Sequence, residues 1–331
     1  MFMKGIKILQ GGLLSTFQDE GRVGFGNIGL PQGGVMDLES QYIANALVAK
    51  EMHASVLELT GYGVSFEVLT PMVIAVTGGK IKAFKNGVEL PMYQSIFLKT
   101  GDRVALENII QGLRSYVGFS HEVILDKVFD SESTYTLSEL GGYKGRPLKT
   151  GDMVDMKPRR LPGLFSYEFK EEQGPIHVIL GYEHEDFDEN LFFSEAFHVS
   201  PEHSRMGMKL QGPLLKAKDG HDIISSPVCP GTIQIPGSGQ PIILLRDGQT
   251  TGGYKRIGCV IFEDLNRLSQ YKTGDQVFFK AIDVVEAKAR KRAFLSKLEN
   301  IKNELKPIKA YEVTLNEKSY YVTVELKEME E

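Results

Sequence analysis

The sequence predicts a mainly β protein built from barrels or sandwiches, with a C-terminal helix and hairpin. Short apolar runs rich in branched residues recur along the chain, and Gly, Pro, Asn or Asp bounds each run. So many short strands at hairpin spacing are typical of β-barrels and sandwiches. The runs read IKIL, VLELT, VSFEVL, MVIAVTG, SIFL, RVALEN and SYVGF in the first half, and IHVIL, TIQI, PIILL, CVIF and QVFF in the second.

The tetrapeptide KTGD occurs three times, at Lys99–Asp102, Lys149–Asp152 and Lys272–Asp275. Strand-like residues follow each copy, and Gly and Asp favour tight turns, so the tetrapeptide predicts a turn before a strand. Because copies stand in both halves of the chain, they also indicate a duplicated architecture.

One helix is indicated in the first half of the chain. Asp37 can cap its first turn, and the segment LESQYIANALVAK that follows carries apolar residues at helical spacing. The apolar stripe consists of Leu38, Tyr42, Ala46 and Leu47.

The end of the chain predicts a helix followed by a β-hairpin. The segment from Asp283 is rich in Lys, Glu and Ala, with Phe294, Leu298 and Ile301 at helical spacing, so its basic residues form a solvated face. In YEVTLNEKSYYVTVEL, apolar residues then alternate on both sides of a turn near Asn316. That alternation is the pattern of a hairpin.

A chain of 331 residues is too long for one ordinary core, because single domains cluster at roughly 100 to 150 residues. The segment MKPRRLPGLFSYEFKEEQ carries two prolines and many charges, so we interpret it as a linker. We therefore predict an N-terminal β domain at 1–156, a linker at 157–172, a C-terminal β domain at 173–282 and a helix-hairpin tail at 283–331.

Composition narrows the functional class. Apolar residues make up 42% and charged residues 24% of the chain, which excludes a disordered, collagen-like or disulfide-dense protein. A net charge of -5 gives no reason to expect nucleic acid or an anionic membrane as partner. No segment resembles a signal peptide or a membrane helix, so a cytoplasmic location is expected. Cys229 and Cys259 are too few for a disulfide framework, and each is expected to be a small buried thiol.

Several familiar motifs are absent or stand in the wrong context. Gly24, Gly26 and Gly29 spell GxGxxG, but no strand directly precedes them and no helix opens at the last glycine, so dinucleotide binding is not expected. The chain has no GxxxxGKS/T phosphate loop, HExxH metal site or GxSxG nucleophile elbow. The acidic cluster at 183–189 lacks EF-hand spacing, so we interpret it as a solvated loop and expect no metal.

The stretch TFQDEGRVGFGNIGLPQGGVMD is the first candidate site. It places Gln18, Asp19, Arg22 and Asp37 among closely spaced glycines. Such glycine density lets backbone approach backbone or ligand closely, at an entropic cost that structure alone seldom explains. We therefore predict a substrate-binding role for these four residues. The alternative is a loop network that only holds barrel strands together.

Two stretches in the second half complete the candidate set. In SPEHSRMGMKLQG, Arg205 stands among small residues and can offer a planar fork of donors to a carboxylate or phosphate. In RDGQTTGGYKRIG, Asp247 can act as a base or an orienting group, and its neighbours supply hydrogen bonds. Those neighbours are Gln249, Thr250, Thr251 and Tyr254.

Together these stretches resemble the C-component family of bacterial 5-oxoprolinase, also called KipA or allophanate hydrolase subunit 2, and the matching part of the carboxyltransferase region of urea carboxylase. The resemblance runs from Leu9 to Phe279 through TFQDEGR, GLPQGGVMD, LELT, ESTYTLSELGGYKGRPLKTGD, SRMG, GTIQIP, GQPIILL and DGQTTGGY. It implies two cyclophilin-like β-barrel domains.

The resemblance also implies an activity. Family members take part in ATP-dependent hydrolysis of the lactam of 5-oxo-L-proline to L-glutamate, in a heteromeric complex with a KipI-like B component and an A component. ATP is then expected at the level of the complex. No biotin is expected on this chain, because Met208-Lys209-Leu210 lacks the second Met of a biotinylated tripeptide. Two alternatives stay open: a carboxyltransferase component of the urea carboxylase type, and a KipA-like regulator that antagonises a KipI-like inhibitor of a histidine kinase.

On this basis we assign catalytic roles to Asp247, Gln249 and Arg205. Asp247 would transfer or orient a proton, and Arg205, together with Arg22, would neutralise a carboxylate or phosphate. The remaining polar residues, Thr250, Thr251 and Tyr254 among them, would position the substrate. The hypothesis requires the two distant polar stretches, one from each barrel, to meet at one groove.

The sequence departs from the family pattern at four places. Lys255 stands where Pro usually follows GGY, and His203 and Ser204 replace the usual pair before the Arg of SRMG. SHEVILD replaces a Gly-Gly-Ile turn, and GYEHE replaces a Gly-Pro pair. The C-terminal hairpin is either a docking remnant of a carrier segment or an extra barrel-edge hairpin.

Overall fold

A computed structural model describes residues 2–326 of the chain. The fold is mainly β, with 42% of residues in strands and 15% in helices. Its two large sheets form a half-barrel and a nearly closed barrel, and a helix and a hairpin stand at the C-terminal end. The predicted fold class is therefore confirmed. Within the described residues, no helix combines the length and apolarity that a membrane crossing requires.

From Phe2 onward, the first half of the chain contains one helix and eleven strands. In chain order these are β1 (Met3–Gln10), β2 (Leu14–Gln18), α1 (Leu38–Leu47), β3 (Val56–Thr60), β4 (Ser65–Val68), β5 (Met72–Lys85), β6 (Val88–Leu90), β7 (Ser95–Leu98), β8 (Arg103–Phe119), β9 (Glu122–Val123), β10 (Met153–Lys157) and β11 (Phe165–Ser166). A 3₁₀ turn at Gly26–Ile28 precedes α1.

The second half continues with short strands and ends in a helix and hairpin. Its elements are β12 (Ile176–Leu180), α2 (Glu189–Ser194), β13 (Phe197–His203), β14 (Gly207–Gln211), β15 (Asp222–Pro227), β16 (Thr232–Gln234), β17 (Ile242–Leu244), β18 (Thr251–Tyr254), β19 (Arg256–Val260), α3 (Asp264–Leu268), β20 (Gln276–Val277), β21 (Phe279–Ala281), α4 (Val284–Asn300), β22 (Lys306–Leu315) and β23 (Lys318–Glu325). Further 3₁₀ turns stand at His184–Asp186 and Ile301–Glu304.

The chain divides into two compact units that differ from the predicted domains. The first unit holds the residues up to Gly21, Leu38–Lys170 and the residues from Leu298, and the second holds Arg22–Asp37 and Glu171–Lys297. The predicted boundaries place 22–37 in the N-terminal domain and treat the tail at 283–331 as a segment of its own. The predicted linker also contains β11, which pairs with β22. These differences arise because contacts between residues far apart in sequence, which spacing does not reveal, decide the units.

The first unit is organised around a ten-stranded sheet. Its main path runs β2-β3-β8-β4-β1-β10-β9, and β5 pairs with β6, β7 and β8. The runs RVALEN and SYVGF, predicted as separate strands, are continuous in β8, because the antiparallel ladder with β5 persists through three register shifts. The core behind this sheet is apolar, with Phe17 and Phe66 each near 6 Å from Phe119 between ring centroids (6.3 and 6.1 Å).

The second unit is organised around an eight-stranded sheet in the order β20-β13-β14-β17-β16-β19-β12-β21. All pairs are antiparallel except β12 with β21. Phe192 stacks on Phe279 at a centroid distance of 4.6 Å inside its core. Met36 packs in the same core. The segment Arg22–Asp37 is therefore part of this unit's structure despite its early place in the chain.

The three KTGD copies form the same turn, as predicted. In each copy the Asp backbone N–H donates to the Lys carbonyl, at 3.0 to 3.1 Å, and the Lys N–H donates to the Asp carboxylate. The third residue has a φ of 88° to 90° at Gly101, Gly151 and Gly274. A type II turn needs such a positive φ, which explains why glycine stands at the same place in every copy.

The predicted C-terminal helix and hairpin are both present. The helix is α4, followed by a 3₁₀ turn, and the hairpin is the β22–β23 pair. Asn316 and Glu317 join the strands with φ values of 48° and 64°. Positive φ at both central residues is the requirement of a type I′ hairpin turn, whose twist matches that of the strands.

Candidate functional site

The second unit contains a cavity of about 540 Å³. Three segments of this unit line it: the loop that begins at Arg22 and ends at Gln32, the turn Pro227–Pro230, and the loop Gly248–Thr251. The first and last of these belong to stretches that the sequence singled out. A volume of this size lies within the range of small-molecule pockets.

Backbone hydrogen bonds hold the lining loops in place. The Arg22 N–H donates to the Gln32 carbonyl at 2.6 Å, which closes the first loop on itself. The Gly33 N–H donates to the Arg246 carbonyl at 2.8 Å, which ties that loop to the one that carries Gln249. These two hydrogen bonds therefore fix the first loop and join it to the segment before Gln249.

Arg205 and Asp247 form a buried bidentate ion pair. Nε and Nη2 of Arg205 each donate to one Asp247 carboxylate oxygen at 2.9 Å, and the residues are 7% and 4% exposed. Nη2 also donates to the Gly34 carbonyl at 2.7 Å. The Asp247 N–H donates to the Arg205 carbonyl at 2.9 Å. Because both carboxylate oxygens accept from one guanidinium, this geometry suits orientation of the loops better than proton transfer.

Gln249 is exposed, and its amide faces a second glutamine. Nε2 of Gln249 donates to Oε1 of the buried Gln234 at 3.3 Å. Gly252 allows this arrangement, because a Cβ at that position would lie 2.1 Å from Nε2 of Gln234. Gly252, the first glycine after the two threonines, therefore permits a close approach between backbone and a buried amide.

Thr250 and Thr251 stand at the rim of the cavity. The Val228 N–H donates to the Thr250 carbonyl at 3.0 Å, and Thr251 pairs with Pro227 in the β15–β18 ladder. A Cβ built on Gly26 would lie 3.9 Å from the Thr250 methyl group. The early glycine-rich loop and the late threonine loop therefore face each other within the second unit.

Cys229 also lines the cavity, and sequence reasoning missed it. The expectation of a small buried thiol is wrong for Cys229, which is exposed, whereas Cys259 is half-buried. Thr232 brings the two together, because its N–H closes a turn onto the Cys229 carbonyl at 3.1 Å and it pairs with Cys259 in the sheet. A hydrogen bond from Cys259 lowers the pKa of Cys229 to about 6, against the opposing effect of burial. The only feature of the sequence that marks Cys229 is its position between two prolines, in PVCP.

Comparison with known proteins assigns the family. Residues 28–281 match the carboxyltransferase domain, subdomain A and B. The chain belongs to this family.

The named relatives within this carboxyltransferase family fall into two groups. The chain is 34% identical to the C subunit of 5-oxoprolinase from Escherichia coli K12, over 86% of this chain and 94% of that protein. It is 29% identical to urea amidolyase of Saccharomyces cerevisiae, over 87% of this chain but only 17% of that protein. The crystal structure of Kluyveromyces lactis urea carboxylase superposes with a TM-score of 0.83 at 26% identity, over 90% of this chain and 29% of that one.

Of the four site residues predicted in the first stretch, Arg22 is the one that lines the cavity. Its backbone belongs to the second unit, and its side chain is buried with 2% exposure. The predicted meeting of an early and a late polar stretch is thus found inside one compact unit. The hypothesis had expected one stretch from each barrel.

Gln18 and Asp19 belong to the first unit, where both serve a loop network. The Asp19 carboxylate accepts hydrogen bonds from Ser131 Oγ at 2.6 Å and the Glu132 N–H at 2.7 Å, as well as from Ser133 and Gly21. Nε2 of Gln18 donates to the Thr134 carbonyl at 3.1 Å. These contacts favour the alternative of strand-holding loops, and the substrate-binding role of both residues stays a prediction.

Asp37 and Tyr254 do not line the cavity. Asp37 is buried in the second unit and accepts a hydrogen bond from Nε2 of Gln270 at 3.1 Å. Tyr254 ends β18 and is 41% exposed. Their predicted substrate-binding roles have no geometric support within this pocket and stay predictions.

Two of the departures from the family pattern lie in neighbouring ion pairs. Nζ of Lys255 lies 2.6 Å from Asp186, which directly follows the GYEHE segment. The next residue, Arg256, forms a bidentate pair with Glu183 of that same segment. The segment around GYEHE therefore supplies carboxylates for two consecutive cationic residues, Lys255 and Arg256.

The acidic cluster at 183–189 is an ion-paired surface segment. Besides the two pairs above, His184 Nδ1 lies 2.6 Å from Glu189, and Asp188 caps α2 by accepting from the Leu191 N–H at 3.0 Å. Across residues 2–326, no group of three or more His, Cys, Asp or Glu side chains is arranged to hold a metal ion.

Proposed function

We propose that this chain is one component of a multi-subunit, ATP-dependent 5-oxoprolinase that hydrolyses the lactam of 5-oxo-L-proline to L-glutamate. The observation that carries the proposal is the cavity of the second unit, in which Arg22 stands among uncharged hydrogen-bonding groups. The similarity to the C subunit of E. coli 5-oxoprolinase, over 94% of that protein, supports the same function.

The lining suits a cyclic amide that carries a carboxylate. The lactam offers one N–H donor and one C=O acceptor, which a carboxamide such as Gln249 and hydroxyls such as Thr250 and Thr251 can match. The Arg22 guanidinium supplies the positive charge for the carboxylate. Specificity in such pockets comes from a few placed polar groups on a largely apolar wall.

In this proposal Asp247 and Arg205 are positioning residues. Their ion pair fixes the loop that carries Gln249 and, through the Gly34 carbonyl, the end of the glycine-rich stretch. The catalytic role predicted for both is therefore revised to one exerted through the lining residues. Gln249 keeps its proposed contact with the substrate.

ATP and the partner proteins belong to the complex. An amide is resonance-stabilised, so coupling to ATP provides the driving force for ring opening. The chain itself carries no GxxxxGKS/T loop. We propose the KipI-like B component as the direct partner and the A component as the third protein. No biotin is proposed on this chain, because Met208-Lys209-Leu210 lacks the second Met of a biotinylated tripeptide.

A carboxyltransferase component is the second candidate, and the family match favours it. In that role the cavity would take urea or another small amide, which presents the same N–H and C=O groups. Biotin would be carried by another chain.

The test is reconstitution. The chain is co-purified with the KipI-like B component, the A component is added, and ATP hydrolysis is measured with and without 5-oxo-L-proline. We expect 5-oxo-L-proline-dependent hydrolysis that requires all three chains. Hydrolysis that is unchanged when this chain is left out would reject the proposal. A parallel reaction with carboxybiotin and urea separates the second candidate, because only a carboxyltransferase would consume urea there.

A further inference from the structure

A second cavity, of about 400 Å³, lies in the first unit. The segment after α1, the segment 122–132 and Arg159 all contribute to its lining. Its wall is rich in charged side chains, among them Lys50, Glu132 and Arg159. No role was predicted for this region, apart from that of Asp19 at its edge.

Lys50 is the unusual residue of this cavity. It is 6% exposed, and a lysine is almost never so buried without an ion-pair partner. Two other lysines with similar burial, Lys85 and Lys255, follow that rule, because they pair with Glu312 and Asp186. Among residues 2–326, no hydrogen bond or ion pair is made by the Lys50 ammonium.

The backbone that presents Lys50 is held from within the unit. Asn45 and Gln41, both on α1 and fully buried, donate to the carbonyl of Ala54 at 2.7 and 3.0 Å. The Lys50 N–H donates to the Asn45 carbonyl at 2.9 Å, and Ala49 before it adopts a φ of 52°. The loop is thus tethered to a buried helix, which fixes the backbone that carries Lys50.

The surroundings make the Lys50 ammonium easier to deprotonate than that of an ordinary lysine. Burial lowers its pKa to about 8, Glu132 and Glu122 oppose that shift, and Arg159 adds to it. The neighbouring His121, whose own pKa is lowered by burial, adds no fixed positive charge. A buried lysine whose pKa falls toward neutrality is the kind that serves as a nucleophile toward carbonyl groups.

We propose that Lys50 is a reactive amine that captures a small aldehyde or ketone as a Schiff base in this cavity. The neutral amine adds to the carbonyl carbon to give a carbinolamine. Loss of water, with uptake of one proton, then yields a protonated imine. The step is reversible and requires neither oxidant nor reductant.

The carboxylates near Lys50 favour the protonated imine over a product that carries a negative charge. A protonated imine retains the positive charge of lysine, and Glu132 and Glu122 both lie near enough to affect the Lys50 amine. A carbamate at the same nitrogen would instead place a negative charge beside these carboxylates. The ligand class is therefore a small uncharged carbonyl compound. This inference is independent of the proposed function, because its residues belong to the first unit.

The test traps the imine on the full chain. The protein is treated at pH 7 with limiting propionaldehyde and sodium cyanoborohydride, which reduces the imine to a stable secondary amine, and labelled peptides are quantified by mass spectrometry. Lowering a lysine pKa from 10.5 to about 8 raises the neutral fraction at pH 7 by roughly 300-fold. A less basic amine is also a weaker nucleophile, so we expect labelling of Lys50 to exceed that of the exposed Lys99 by about tenfold.

A variant at Arg159 tests whether the lowered pKa of Lys50, rather than side-chain exposure, determines the labelling. Arg159 is exposed, so Arg159→Gln leaves the fold intact, yet it removes a positive charge that lowers the pKa of Lys50. We expect severalfold slower labelling of Lys50 in this variant and no change at Lys99. Labelling that simply follows side-chain exposure, or that ignores Arg159→Gln, would overturn the proposal.

Discussion

The two cavities place their charges differently. In the second unit, Asp247 and Arg205 neutralise each other outside the cavity wall, so that the wall combines Arg22 with neutral amide and hydroxyl groups. In the first unit, charged side chains line the cavity itself, and the Lys50 amine has no partner among the described residues. A buried ion pair holds the loops that carry its two residues in position. Burial of an amine without an ion-pair partner instead lowers the pKa of that amine.

The comparison teaches that motif residues and reactive residues need not coincide. Asp247, Arg205 and Asp19 were chosen because they stand in polar, glycine-rich stretches, and all three are engaged in internal hydrogen bonds. Lys50 and Cys229 stand in no motif. Both owe their lowered pKa values to tertiary surroundings.

The largest expected effect is on stability, from Asp247→Ala. This substitution leaves the Arg205 guanidinium buried without its carboxylate, which costs about 3 to 5 kcal/mol. Urea denaturation measures the loss. Asp155→Ala is the control, because its ion pair with Lys4 is exposed and is worth at most about 1 kcal/mol. Equal, small losses in both variants would show that the buried pair is not a structural element.

Lys50→Met is expected to stabilise the protein at pH 7. The folded state lowers the Lys50 pKa from 10.5 to about 8, so the unfolded chain binds more protons between these values. The unfolding free energy of the wild type therefore rises from pH 8 to 10.5, and the deficit below pH 8 is about 3 kcal/mol. Met keeps the apolar stem and removes the charge.

Denaturation curves at pH 7 and pH 10 check this expectation. The gain from Lys50→Met should shrink at the higher pH, whereas Lys127→Met, an exposed lysine at the same cavity, should change stability little at either pH. A destabilised Lys50→Met variant with no pH dependence would mean that the amine is satisfied in the folded state.

Gln249→Ala is expected to lower 5-oxo-L-proline-dependent ATP hydrolysis of the complex by about 10- to 100-fold, the effect of losing one or two hydrogen bonds to a substrate. Its melting temperature should stay near that of the wild type, because Gln249 is exposed and makes one long hydrogen bond. Gln276→Ala, another exposed glutamine of the same unit, is the matched control. Equal activity of the two variants would remove Gln249 from the site.

The smallest effect concerns Cys229 alone. Because Cys259 lowers the pKa of Cys229 to about 6, its alkylation by iodoacetamide should reach half its maximal rate near that pH. Cys259→Ala removes the hydrogen bond and should move the midpoint toward about 8.5, the usual thiol value. Rate profiles followed by mass spectrometry measure both midpoints. A midpoint that does not respond to Cys259→Ala would contradict the thiol pairing.

Local structure could be predicted from the sequence because its causes are local. The KTGD turns depend on one glycine and one carboxylate within four residues, and the hairpin at Asn316 depends on adjacent positive φ values. Apolar alternation located most strands for the same reason. The sequence also singled out the glycine-rich loop and the threonine loop as polar stretches, and both line the cavity of the second unit.

The remaining features depend on contacts that spacing does not encode. Arg205 and Asp247 are 42 residues apart, and only folding shows that they pair. Arg22 belongs to a different compact unit from Asp19, three residues before it, although both stand in one motif. The burial of Lys50 likewise results from residues of other segments packing around it.

The most direct test of the central claim is a crystal structure of the complex with the KipI-like B component, determined with bound 5-oxo-L-proline. The account predicts the lactam in the second-unit cavity, with its amide at Gln249 and Thr250 and its carboxylate toward Arg22. Binding at any other place, with this cavity unchanged in an active complex, would contradict it.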